Sequence, residues 1–143
     1  VTEELSAQEI YDMGRKVEPF VIAKDTRMGH IHLSVKDSQL ASAFYQEVLE
    51  LADKFTIPSA SWIASGDYHH HLAVNEWGGK DLAKREEDMS GLAYYVLEVE
   101  DKEDLIAIAE RANNRGAEVK WLSSNVLTFE DNDGILTRIR KKY

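Results

Sequence analysis

His30–Asp37 reads HIHLSVKD, and further along the chain Tyr94–Asp101 reads YYVLEVED. Both stretches have the form x-x-x-Leu-x-Val-x-Asp, and both run straight into an amphipathic segment. After the first comes SQLASAFYQEVLEL, whose Leu40, Ala43, Phe44, Val48 and Leu51 recur at the spacing of one helix face, with Lys36-Asp37-Ser38 as turn and cap. After the second comes KEDLIAIAERANNRG, with Leu105, Ile108, Ala109 and Ala112 on one face and Gly116 as a C-terminal stop. A strand leading into a helix, stated twice, is the signature of an internal repeat.

The rest of each half supports the same plan. Ala52–Ile57, Ser61–Ser65 and Tyr68–Glu76 are strand-like and are punctuated by Pro58 and Gly66-Asp67. In the second half, Glu118–Leu122, Val126–Glu130 and Ile135–Arg140 are the strands, and Asp131-Asn132-Asp133-Gly134 is a tight turn. The sequence therefore predicts an α+β fold of paired βαβββ modules forming a curved mixed sheet, at residues 28–77 and 91–143. A polar linker at 78–90 joins them. Residues 1–27 form an N-terminal helix and connector: Leu5, Ile10, Met13 and Val17 keep helical spacing, Ser6 is available as a cap, and Pro19 would end the helix.

Composition narrows the function. With 26 acidic against 17 basic residues the net charge is −9, which argues against a nucleic-acid surface. There are no cysteines, so disulfides, thiolate zinc sites and a cysteine nucleophile are excluded, and a reducing cytoplasm is the compartment that fits. No apolar run approaches the length of a membrane span or of a signal-peptide core. Asp131–Gly134 resembles the start of a calcium loop but lacks the later Glu, and reads better as a hairpin turn.

All five histidines fall in two places, GHIHL and GDYHHHLAVNEW. Alternation along a strand assigns a face to each. Ile31, Leu33 and Val35 form the apolar set of the first strand, which puts His30, His32 and Ser34 on the opposite, polar face. In Tyr68–Glu76, Leu72 and Val74 are the apolar set. His70 shares their parity and is expected to face the helices as a hydrogen-bonded structural residue, while His69 and His71 look the other way. In the second half Tyr94, Val96, Glu98, Leu136, Arg138 and Arg140 share the polar side.

The stretches MGHIHLSVKDSQLASAFYQEVLEL and FEDNDGILTRIR, within paired βαβββ modules, resemble the vicinal oxygen chelate superfamily of glyoxalases, bleomycin-resistance proteins and extradiol dioxygenases. GDYHHHLAVNEW is similar to the matching segment of two-domain catechol-2,3-dioxygenase-like proteins. That likeness implies that the chain is the C-terminal domain of such a protein, with a second glyoxalase-like domain or a homodimer partner. The resemblance also implies a metal set of two His and one Glu, which falls here on His30, Tyr94 and Arg138. Only His30 keeps the ligand type. A neutral phenol is a poor ligand, and a guanidinium repels a cation at short range.

The expected reading is a domain with a degenerate metal triad, binding a small polar or aromatic ligand in the cup of the sheet. Arg138, Arg140, His71 and Trp62 are the candidate ligand-binding residues, with Trp77 as a further wall. His32, His69 and Tyr94 are the candidate catalytic groups. The competing reading is an active metal-dependent dioxygenase or lyase with a rearranged site, in which His30, His32 and His69 or His71 hold Fe, Mn, Zn or Ni and Glu98 adds a carboxylate. Without such a rearranged site no metal cofactor is expected. A third reading is an interaction module. For Arg138 the bland alternative is an ion pair with Glu98.

Overall fold

The computed structural model describes residues 4–14, 19–84, 86 and 89–142. Val17, three linker positions (85, 87 and 88) and Tyr143 lie outside the described residues. The order is α1 (Ala7–Met13), β1 (Ile31–Ser34), α2 (Ser38–Leu49), β2 (Ala52–Ile57), β3 (Ala60–Ala64), β4 (Leu72–Asn75), β5 (Tyr95–Val99), α3 (Lys102–Asn114), β6 (Lys120–Ser123), β7 (Val126–Glu130) and β8 (Leu136–Lys141). The repeat expected from the sequence is present: each half is βαβββ, and each builds its own four-stranded mixed sheet. The sheet orders, β1-β4-β3-β2 and β5-β8-β7-β6, are the same arrangement twice. In both sheets the first strand pairs in parallel with the last and lies at the edge.

The local reasons are those the sequence suggests. Asp37 caps α2, its carboxylate accepting from Gln39 N at 3.0 Å and Leu40 N at 2.9 Å. Asp101 takes the N-cap position of α3, though without a side-chain bond. Glu50 ends α2 in the left-handed region at φ 54, and Arg111 of α3 donates from Nε to the Val48 carbonyl of that helix end at 2.9 Å. At the β7–β8 turn, Asp131 Oδ1 accepts from Asp133 N and Ile135 N, and Gly134 adopts φ 79.

The helices pack on each other and on the inner faces of the sheets, α2 on β3 and β4, α3 on β5, β7 and β8. One core runs through both halves: Leu33, Val35, Phe44, Tyr45, Val48, Leu72 and Val74 from the first, and Tyr95, Leu105, Leu127, Phe129 and Ile139 from the second. Each large apolar side chain buried there contributes about 1.5–3 kcal/mol. Phe44 meets Phe129 across the seam at 6.0 Å between ring centroids. Beside them Tyr45 OH donates to the buried Asp131 Oδ2 at 2.6 Å. Burial pushes the Tyr45 phenol well above its ordinary value, and raises the Asp131 carboxyl as well.

α1 departs from expectation. Ser6 does cap it, accepting from Glu9 N, but the helix closes at Gly14, before Pro19 is reached. None of its residues is buried, and Leu5, Ile10 and Met13 are all exposed. Their spacing marks an apolar stripe that this core does not use.

Candidate functional site

Because the helices take the inner faces, function is left to the outer faces and to the seam. On the first sheet the pairing sets His32, Ala73, Trp62 and Phe55 in one row across the outer face. His32 stands at its edge, and His30 lies one step before β1. The segment Gly66–His71 folds back toward them, starting from Gly66 at φ 58. It is fixed at its end, where His71 N donates to Ile63 O at 2.9 Å and Ile31 N donates to His71 O at 3.1 Å. Tyr68 OH lies close over Gly29, where an added Cβ would come within 3.3 Å of it.

This anchoring brings four imidazoles into contact. His32 Nε2 and His70 Nε2 are 3.1 Å apart, a hydrogen bond whose direction depends on the tautomers. The His30 ring lies 4.2 Å from His70 and 5.2 Å from His32, centroid to centroid. His69 packs edge-on against His70 at 4.5 Å and against His30 at 5.5 Å. Burial, and then the neighbouring His30, His69, His32 and His71, push His70 down to about 4. His32 is lowered too, by burial first and then by His30. His30, His32 and His70 each present one nitrogen within 4.8 Å of the others.

His70 is therefore not directed at the helices. The alternation expected over Tyr68–Glu76 does not hold: β4 begins only at Leu72, so side-chain parity carries no information for His69, His70 and His71. The signal that would have corrected this is the Gly66-Asp67 turn, too close to leave room for a longer strand. His71 stands apart from the cluster. Its Nδ1 accepts from Ser65 N at 3.3 Å and its ring stacks on Tyr68 at 4.8 Å. Burial and then His69 and Lys54 lower its pKa.

On the second sheet the guanidinium of Arg138 lies over the Tyr94 ring, 3.8 Å from its centroid. Among the described residues the buried Arg138 Nε has no hydrogen-bond partner. The ion pair considered for Arg138 is made by its neighbour instead: Arg140 binds Glu98 through Nε at 3.1 Å and through a second, shorter contact. Glu98 is thus occupied by a cation.

A cleft of about 490 Å³ opens at the seam beside the β5 edge. Its walls include Leu51, Val96 and Ile139, and its polar groups are Arg27, His71, Glu98 and Arg140. Of the candidate residues, then, His30, His32 and His69 gather on the first sheet with His70. Tyr94 and Arg138 pair on the second, and His71 and Arg140 meet in the cleft. Trp62 lies in the His32 row and contacts Phe55 at 5.4 Å, while Trp77 is 65% exposed.

Two repeated βαβββ modules with their polar groups on the sheet faces away from the helices define a glyoxalase-like protein. The chain belongs to the Glyoxalase/Bleomycin resistance protein/Dioxygenase superfamily, whose pattern matches residues 27–139. It is 35% identical over 101 residues to catechol-2,3-dioxygenase of Bacillus subtilis (strain 168), an alignment covering 69% of this chain and 35% of that protein. The chain thus spans about a third of the length of that relative. Among solved structures, a glyoxylase/bleomycin resistance protein/dioxygenase domain from Frankia sp. EAN1pec superposes with a TM-score of 0.64 at 22% identity, covering 82% of this chain and 98% of that one. Lactoylglutathione lyase from Agrobacterium tumefaciens gives 0.61 at 15% identity, with 83% and 96% covered. The fosfomycin resistance protein FosX from Mesorhizobium loti gives 0.61 at 16%, with 82% and 92% covered. These likenesses establish the fold.

The residues at the positions implied for the family metal do not fit one. Tyr94 is engaged as the platform for Arg138, and the guanidinium brings a fixed positive charge to the place of the expected carboxylate. His30 belongs to the other sheet and is packed among histidines.

Proposed function

We propose that the chain is a small-molecule-binding domain whose standard metal triad has been replaced, and that it takes a small polar or aromatic acid. The observation that supports this is the seam cleft, which brings His71 of the first module and Arg140 of the second to a space of about 490 Å³. That volume suits a small ligand, and apolar walls with a few convergent polar groups are the ordinary composition of such a site. Arg27 favours a carboxylate, since a guanidinium matches its two oxygens, and a ligand carboxylate would take Arg140 by displacing Glu98, which otherwise holds it. Val96, Ile139 and Leu51 favour an aromatic or aliphatic body.

In this reading residues 28–143 form the binding domain, and a second glyoxalase-like domain or a second copy covers its outer faces. The apolar group left on the first of those faces agrees with a cover: Phe55, in the His32 row, is 60% exposed. No helix among the described residues is long and apolar enough to cross a membrane. A metal-dependent ring-cleaving dioxygenase or lyase is the second reading, favoured by the catechol-2,3-dioxygenase relative.

One calorimetric series with aerobic controls tests both. The chain is titrated with aromatic carboxylates, catechols and aliphatic organic acids, and catechol is also supplied with Fe(II) in air. A saturable acid is expected, with Arg140→Met weakening it at least about tenfold, the usual cost of a lost charge-assisted bond. Saturation by none of them, or indifference to Arg140→Met, would overturn the cleft as the site. Ring cleavage of catechol would favour the second reading.

A further inference from the structure

We propose that His30, His32 and His70 form an all-imidazole site for a zinc-class ion, on the first sheet and separate from the seam cleft. The strongest geometric argument is a distance. A tetrahedral ion with Zn–N bonds of about 2.0–2.1 Å holds neighbouring nitrogens about 3.3 Å apart. His32 Nε2 and His70 Nε2 stand at 3.1 Å. The three ligand nitrogens lie within 4.8 Å of one another, so the widest gap closes by about 1.5 Å to reach that spacing. Rotation of the exposed His30 ring is enough for a movement of this size.

The supporting frame is in place before any ion arrives. His32 lies within β1, paired with Ala73 of β4, whose methyl leaves room above the sheet. His70 adjoins His71, which is held by backbone bonds to both Ile63 and Ile31. The two ligand-bearing segments are therefore tied together within two residues of the ligands. Tyr68 OH, close over Gly29, packs the start of the loop against the start of β1.

The donor set also indicates the ion. Three imidazoles with no carboxylate suit Zn, Co, Ni or Cu and are a poor match for Mg, Ca or Mn. The three protein ligands leave a fourth position for solvent. His69 touches the rings of His30 and His70 edge-on and does not belong to the ligand set. Binding moves one proton: in the metal-free pair either His32 or His70 donates from Nε2, and that ring must shift its proton to Nδ1 to offer Nε2 to the ion. No net proton is released when both rings start neutral.

The test uses the untagged chain, purified without a nickel column and stripped with chelator, then titrated with Zn(II) calorimetrically and with Co(II) by visible absorption. One equivalent in the micromolar range or tighter is expected, with the visible bands of tetrahedral Co(II). His70→Ala and His32→Ala should each weaken it at least about 100-fold, more than an outer-shell change typically does. Substoichiometric or weaker binding, or a His70→Ala chain that binds like the parent, would overturn the site. Should a variant fail to fold, proton NMR of the parent chain decides it: Zn(II) must move the ring signals of His30, His32 and His70. Movement confined to other histidines would sink the proposal.

Discussion

The two halves of this molecule are built on one backbone plan and carry opposite chemistry on it. In the first, His32 pairs with Ala73 across the parallel β1–β4 ladder; at the equivalent place in the second, Val96 pairs with Arg138 across β5–β8. His30 and Tyr94 hold the same position before their strands. A methyl group in the first half leaves space that imidazoles fill. In the second half a guanidinium occupies that space and stacks on the phenol ring. The comparison teaches that the repeat settles where a functional side chain stands, while a single residue on the last strand settles the sign of charge it meets.

The most direct way to break the contrast is to move the cation. Ala73→Arg puts a guanidinium under the histidines at the position Arg138 takes in the other sheet. Zn(II) binding should then be lost to calorimetry, because a fixed positive charge adjoins the ligands. Ala73 is 1% exposed, so overpacking should also cost about 1–3 kcal/mol in denaturant unfolding. Retained binding would mean that Ala73 is not what keeps the first site open.

A second change probes how far the halves depend on each other. Tyr45 of α2 donates to Asp131 in the β7–β8 turn, a bond that crosses the seam. Tyr45→Phe leaves a buried carboxylate oxygen without that donor and should cost about 1–3 kcal/mol near neutral pH. The cost should depend on pH. Burial raises the folded carboxyl above its ordinary 3.8, so the folded chain holds a proton that the unfolded chain has released. Stability from this group is complete below 3.8 and falls as pH rises through the higher folded value. The Tyr45 bond lowers that folded value, so its removal deepens the loss, and the penalty should be greater at about pH 7 than at about pH 4. Equal penalties in urea melts at both pH values would assign Tyr45 to packing alone.

The smallest effect is expected in the second half itself. Arg138→Met removes a cation–π contact of about 0.5–2 kcal/mol and, with it, a buried donor lacking a partner. The two nearly offset, so thermal unfolding should shift by no more than about 1 kcal/mol equivalent. A large destabilisation would show that the Tyr94–Arg138 pair is a structural clamp.

Much of the fold could be read from the chain because its signals are local. The x-x-x-Leu-x-Val-x-Asp repeat, the Asp37 cap and the turn at Asp131–Gly134 each act through backbone bonds within a few residues. Facing was also legible inside true strands: Leu33, Thr137 and Ile139 are buried as their alternation requires. It failed at His70, because alternation is a property of hydrogen-bonded strand and Gly66–His71 is a bent segment. The partner of Arg138 is not legible in the sequence, since Tyr94 and Glu98 both lie on the neighbouring strand side; the structure gives Tyr94 to Arg138 and Glu98 to Arg140.

By itself the sequence determined two βαβββ units and a family, both consequences of residue type and spacing. Tertiary structure alone decided which histidines meet. His30, His32 and His70 come together through the Ile31–His71 and His71–Ile63 bonds, which join segments remote in sequence. It likewise decided that Arg140 and His71 share a cleft, because that cleft exists only where one module is packed against the other.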